Sequence, residues 1–359
     1  MSSEISAGRL AGQPRDALGR ASVAACDRAL RALLNAQHPD GWWTDFLLAP
    51  GPSDEWVTGY VGTCLAALPD SRALDAARDA WRLLQRRRHL ADAWAYNALP
   101  PGDADSTTWG LRLADALGAL ETVRAREAAE ALARHLRPGG GVATYAEDGP
   151  IRRFIGAPAE RSFRGWCGAH PCVSAAASAL PQFRPLVLPY MRALQRADGA
   201  WNAYWWHDNV YTTALAVETL ARVDDPGDRA RLDAAARWAC AQLGTDGAVA
   251  TVRDPAGSPF ATALCLRVLL AGGIDGTIHA AASAAIAWLL SHQQSDGRWQ
   301  PSARMRLPMP DDEWPDDYTG WVEGGRIEGS SIVDRQGLFT TATVLTALRV
   351  AGDTNGNAP

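Results

Sequence analysis

"QRADGAW", Gln195–Trp201, sets a glutamine four residues before a glycine and an aromatic residue two beyond it. The spacing returns in "QHPDGWW", Gln37–Trp43, and in "QQSDGRW", Gln293–Trp299. A degenerate copy, "QLGTDGAV" at Gln242–Val249, carries one extra residue. Asp-Gly is a strong turn signal, and self-similarity at a period of about 20–50 residues marks a repeat architecture. The last three copies begin 47 and 51 residues apart, the length of one helical hairpin with its loops.

Each copy follows a striped, charged segment and precedes one that is apolar on all sides. Striped helices face water and evenly apolar ones are buried. The pattern therefore predicts outer helices over 20–36, 71–87, 122–136, 182–196, 227–243 and 277–293. Inner helices are predicted over 54–68, 105–120, 169–180, 209–222, 258–271 and 336–351. Six hairpins suit an all-α ring, a single (α/α)6 barrel over 19–352, with flexible ends at 1–18 and 353–359. An open tetratricopeptide-like solenoid is the rival, but its repeat is shorter and lacks the Gln-x-x-x-Gly-x-Trp turn. No strand-like alternation competes, so no sheet of more than two strands is expected.

Composition narrows the function. A net charge of −5 disfavours nucleic acid and anionic membrane as partners. The longest apolar runs, such as "AASAAIAWLL", are shorter than the roughly 20 residues that span a bilayer. No integral membrane association is expected, while peripheral contact and oligomeric state are left open. The opening "MSSEISAGRLAGQPRDALGR" has no apolar core of a signal peptide, and the six scattered cysteines read as reduced thiols; both suggest a cytoplasmic protein. Tryptophan is the anomaly, fifteen against six phenylalanines, many in Gly/Pro/Asp-rich stretches.

Loop lengths orient the ring. Inner-to-outer connections are short, whereas outer-to-inner ones at 38–53, 88–104, 137–168 and 294–335 are long, and long loops are commonly functional. All emerge on the face where the inner helices begin. "PGDADSTTW", Pro101–Trp109, lies there, with Asp103 near a helix cap and Asp105 in the first turn. Asp, Ser and Thr are ordinary cap residues. A second carboxylate pointing into a cavity has no capping purpose, however, and two close carboxyls raise the pKa of one of them. Burial beneath aromatics raises it further, which keeps a general acid protonated at neutral pH.

The Gln-x-x-x-Gly-x-Trp turns resemble the QW motifs of the squalene–hopene and oxidosqualene cyclase superfamily. "DADSTTW" resembles the Asp-x-Asp-Asp motif of class II terpene cyclases and, more nearly, the Asp-x-Asp-Thr-Thr variant of drimenyl diphosphate synthase-like enzymes. The resemblance covers nearly the whole chain as one α/α barrel. It implies a protonation-initiated isoprenoid cyclase acting on a linear prenyl substrate, in the first instance a prenyl diphosphate. Three departures stand out: there is room for only one barrel, position 106 is Ser, and no phosphatase or class I domain is present.

The resemblance maps the proton donor onto Asp105 and its supporting carboxylate onto Asp103. His170, at the start of the next inner helix, is the candidate to orient the acid, with His207 of "WWHDN" as its rival. Cys167, His170 and Cys172 fall within six residues and make a poor zinc site. An aromatic face can stabilise a carbocation through its quadrupole. Trp56, Tyr60, Trp109, Trp205, Trp206 and Tyr211, near inner-helix starts, are the candidate substrate-binding aromatics, whereas Trp43, Trp201 and Trp299 read as structural. Arg152, Arg153, Arg161 and Arg164, then Arg304, Arg306 and Arg326, all in the long loops, are the candidate cations for a diphosphate, with Arg152, Arg153 and Arg164 foremost, and Mg²⁺ enters only with such a head group. "DDEWPDD" at 311–317 reads as a solvated acidic loop. Two alternatives stay open: a toroid like the protein prenyltransferase β-subunit, and a non-catalytic ring that binds a hydrophobic ligand or peptide.

Overall fold

The computed structural model describes residues 14–87, 93–272 and 276–356. Along the chain run α1 (Pro14–Ala36), β1 (Asp45–Leu48), β2 (Gly51–Ser53), α2 (Glu55–Ala66), α3 (Ser71–Arg86), α4 (Ala104–Ala116) and α5 (Val123–Ala133). Then come α6 (Asp148–Ile155), α7 (Pro171–Ser178), α8 (Arg184–Ala193), α9 (Val210–Val223), α10 (Arg229–Gln242) and α11 (Pro259–Ala271). The chain closes with α12 (Gly276–Ser291), β3 (Arg304–Leu307), β4 (Val322–Glu323), β5 (Ser330–Val333) and α13 (Leu338–Gly356).

The molecule is mostly helical. The inner helices pack in the order α2, α4, α7, α9, α11, α13, and α13 returns to α2. Outside them, α3, α5, α8 and α10 follow their own inner helices, and α1 packs against α13 and α12. The twelve expected helices are all present, with ends moved by a few residues. The ends of the chain differ from expectation where they are described: α1 begins at Pro14 and α13 continues to Gly356. The rest of the flexible ends, residues 1–13 and 357–359, lies outside the described residues.

The repeated turns hold neighbouring hairpins together. Gln195 Nε2 donates to Gly199 O at 3.0 Å within its turn and to Arg231 O at 2.9 Å on α10. Gln37 does the same to Gly41 O and Ala76 O on α3, and Gln293 to Gly297 O and Ala25 O on α1. Each glutamine thus closes its own turn and ties its hairpin to the outer helix of the next. Only glycine fits the turn: Gly199 has φ +98°, and a Cβ there would lie 2.4 Å from Ala234 O.

The following aromatic makes the tie to the inner helix. The Trp201 indole donates to Met191 O at 2.7 Å, and its amide donates to Thr213 Oγ1 at 3.0 Å on α9. Trp43 and Trp299 repeat both bonds, to Leu33 and Thr58 and to Leu289 and Thr341. Trp94 repeats them with Leu84 and Thr107, in a hairpin whose turn the spacing did not reveal. In the remaining two hairpins the amides of Val142 and Val249 donate to Ser174 and Thr262. The six hairpins therefore share one internal joint.

The expected limit on strands fails. β5 lies between β3, antiparallel to it, and β4, parallel to it, which makes a three-stranded sheet; β1 and β2 form a hairpin. All five strands belong to long loops on the mouth face, and α6 is an added helix in the loop after α5. Strand-length segments of mixed polarity do not show a clean alternation, so the sequence pattern passes over them. They wall the mouth without interrupting the ring.

Candidate active site

Asp103 caps α4: its side chain accepts from the Ser106 amide and from the Ser106 hydroxyl, at 2.7 Å each. Donation to both oxygens favours the charged form of Asp103. Asp105, one residue into the helix, lines a cavity of about 450 Å³, and its Oδ1 is buried without a hydrogen-bond partner. Burial and the neighbouring Asp103 push its carboxyl up to about 8, against lowering influences from Arg112 and the Trp56 indole. The Trp56 Nε1 also lacks a partner. The raised carboxyl of Asp105 thus faces an apolar space beside Asp103.

The cavity walls come from the mouth loops as much as from the inner helices. Trp56, Tyr96, Tyr145, Trp166 and Trp205 supply aromatic surface, Leu48, Ile151, Phe154 and Ile155 aliphatic and aromatic cover, and Met305 and Leu307 of β3 the sheet wall. Leu99, Phe154 and Ile327 line the cavity and remain exposed, so the rim is apolar. The volume falls within the roughly 300–1,000 Å³ range of small-molecule sites.

Of the six aromatic candidates, two reach this space, Trp56 and Trp205. Trp206 and Tyr211 stack 4.3 Å apart in a buried layer with Phe260, Phe339 and Phe46. Tyr60 stacks on Phe339 at 3.6 Å, Trp109 donates to the Tyr211 hydroxyl at 3.1 Å, and both open on a second cavity beneath that layer. The cause is helical rise. Trp109 is four residues beyond Asp105, which places it about 6 Å lower along α4.

His170 does not touch either carboxylate. Its Nε2 lies 2.8 Å from Gly165 O, a pure acceptor, so that nitrogen carries the proton and Nδ1 accepts from Thr144 Oγ1 at 2.7 Å. Thr144 Oγ1 in turn accepts from the Trp205 indole at 2.7 Å. Burial lowers the His170 pKa to about 3, and its ring stacks on Tyr204. The histidine is bonded to Thr144 and through it to the Trp205 indole, where the sequence reading placed it beside the acid. His207, its rival, meets Trp321 edge-on and lies outside the cavity lining.

The three foremost arginine candidates, Arg152, Arg153 and Arg164, are not among the residues that line the cavity. Arg152 pairs with Asp148 and covers the Phe163 ring, Arg153 is exposed, and Arg164 donates to Asp311 O near Glu313. Of the loop arginines expected to meet a head group, Arg326 lines the cavity, and Glu328, which also lines it, is paired to Arg161. A signal for part of the wall was present. Ile151, Phe154 and Ile155 recur at i, i+3 and i+4, the apolar face of α6, and leave Arg152 and Arg153 on the other faces. Among the described residues no group of three His, Cys, Asp or Glu is placed to hold a metal ion, and no helix is long and apolar enough to cross a membrane. In the acidic loop, Asp316 meets Arg306 and Glu313 meets Arg164.

Comparison with known proteins places this geometry. Residues 178–305 match the family model of the squalene-hopene cyclase C-terminal domain. A type II terpene cyclase, MstE from Scytonema, is similar in structure: 44% identical over 94% of this chain and 99% of its own, with a TM-score of 0.90 in complex with its substrate, geranylgeranyl dihydroxybenzoate. Bound to its product, merosterolic acid A, MstE matches with the same identity and coverage and a TM-score of 0.91. A protein from Actinoplanes is 44% identical over 92% of this chain and 99% of its own, with a TM-score of 0.86. No curated protein sequence matches the chain.

Proposed function

The chain belongs to the class II terpene cyclase superfamily, and from that premise we propose that it cyclises a linear isoprenoid chain joined to a head group other than a diphosphate. Asp105 is the acid. It gives its proton to one carbon of the terminal double bond, leaving a tertiary cation at the other carbon. The π electrons of the next double bond close the first ring, and loss of a proton from the final cation makes the reaction a net isomerisation. Trp56, Trp205, Trp166 and Tyr145 supply negative ring faces without a strong nucleophile. Thr144, held by His170, fixes the indole of Trp205 for this purpose. The closed order of inner helices is read as an (α/α)6 barrel with its mouth covered by the strands and α6.

The cavity's charge carries the head-group assignment. Among the described residues Arg326 is the one cation that lines it, and Glu328 stands beside it. A diphosphate needs several cations or a metal, whereas one guanidinium suits a single carboxylate or a phenolic ring. MstE, whose substrate is geranylgeranyl dihydroxybenzoate, supports the same choice. Incubation with geranylgeranyl dihydroxybenzoate, farnesyl diphosphate and geranylgeranyl diphosphate tests it. Cyclic product is expected from the aryl substrate; product from the diphosphates alone would overturn the head-group assignment and leave the cyclase assignment standing.

A further inference from the structure

Beneath the aromatic layer, a second cavity of about 440 Å³ opens among the C-terminal halves of the inner helices, at the end of the ring opposite the mouth. The chemistry described above uses none of it. Its lining carries three guanidinium groups, Arg112, Arg222 and Arg267, against two carboxylates, Asp115 and Glu218. Arg267 is buried and paired with Glu218. Arg112 lies 4.2 Å from the centre of the Trp109 ring, and its Nη1 is buried without a hydrogen-bond partner. Neither Arg112 nor Arg222 has an ion-pair partner among the described residues. A guanidinium has five donors, and burying one unpaired is costly.

We propose that this lower cavity binds a small oxyanion, a phosphate or a carboxylate, held by the guanidinium groups of Arg112 and Arg222 beside the Arg267–Glu218 pair. Two oxygens of a carboxylate or a phosphate match a guanidinium fork two bonds at a time, and one positive charge is left over by the lining itself. Trp109, which lines this cavity, donates to the Tyr211 hydroxyl, and Tyr211 interacts electrostatically with Asp105. Asp105 faces Asp103 and Arg112 from its own helix, Trp56 from α2, Cys172 from α7 and Tyr211 from α9. Arg112 is the cation among these, and it favours the charged form of Asp105. An anion beside it offsets that influence, so the acid keeps its proton to higher pH.

The test needs no isoprenoid. Thermal unfolding of the purified protein is followed against phosphate, acetate and chloride at matched ionic strength. Saturating phosphate or acetate is expected to raise Tm by about 2 °C or more, and chloride to leave it unchanged. A larger shift with acetate assigns a carboxylate ligand; a larger one with phosphate assigns a phosphate. Arg222→Gln, a change at an exposed position, should abolish the shift, while Arg153→Gln on the far face keeps it. Equal shifts with chloride, equal shifts in Arg222→Gln, or no saturable shift and no heat in a phosphate or acetate titration would overturn the proposal.

Discussion

Ser106 gives both its amide and its hydroxyl to Asp103, each at 2.7 Å. The serine that departs from the family motif therefore serves the supporting carboxylate instead of acting as a third acid. Asp103→Asn keeps an acceptor for the cap and removes the neighbouring negative charge, which is one of the two influences that raise Asp105. The expected result is a folded enzyme with reduced but measurable turnover at neutral pH and an alkaline limb moved to lower pH. Rate profiles of the two proteins over pH 5–9 check this; an unmoved limb would separate Asp103 from the acid.

Asp105 also makes a stability prediction. Its carboxyl is raised to about 8 in the folded protein, so between about pH 4 and 8 the native state holds a proton that the unfolded chain has released. Stability from this group is present at low pH and is lost as pH rises through that window. Asp105→Asn removes the titration, so the variant should exceed wild type in stability at pH 8, by a few kcal/mol at most. Denaturation midpoints at pH 5 and pH 8 give the comparison; a variant less stable at both would show the carboxylate to be a structural cap.

His170 works with the opposite sign. Its folded pKa, about 3, is lowered by burial, so the unfolded chain takes up a proton first as pH falls below 6.5. The stability it contributes is intact above that point and declines towards pH 3. Thr144→Val leaves the Trp205 indole N–H without its acceptor, at about 1–3 kcal/mol. That variant should fold, and its product ratio should change, because the Trp205 face loses its fixed place. Unchanged products would reduce the His170–Thr144–Trp205 chain to packing.

The turns should prove structural. Trp299→Ala removes a fully buried side chain and its indole bond to Leu289 O, while the backbone bond to Thr341 remains, for a cost of roughly 3–5 kcal/mol. Gln293→Ala releases the bond to Ala25 O that links the last turn to the first helix, at about 1 kcal/mol. Thermal melts should show the larger loss for tryptophan. A Trp299→Ala protein that is equally stable but inactive would move the residue to the site.

The ring could be read from the sequence because its joints repeat. Gln195, Gly199 and Trp201 are each demanded by a bond or a close approach, and the same demand recurs at every well-kept copy. The Thr213 partner was equally regular but silent, since threonine carries no turn signal. The place of Asp103 and Asp105 at an inner-helix start, lining the cavity, was legible from the sequence. Tyr60 and Trp109 line the second cavity and not the one at Asp105, because one helical turn, about 5.4 Å, moves a side chain past the aromatic layer. Tyr145 and Trp166 stand on loops, whose path over the mouth is set by tertiary contacts with no local pattern.

The central claim is that Asp105 delivers the proton. Asp105→Asn preserves the shape of the side chain and cannot act as an acid. With geranylgeranyl dihydroxybenzoate as the probe, single-turnover incubation and product analysis beside a thermal melt decide the matter. A protein that melts cooperatively, binds the probe and forms no cyclic product is the expected result. A folded Asp105→Asn protein that still cyclises the probe at the wild-type rate would contradict the account.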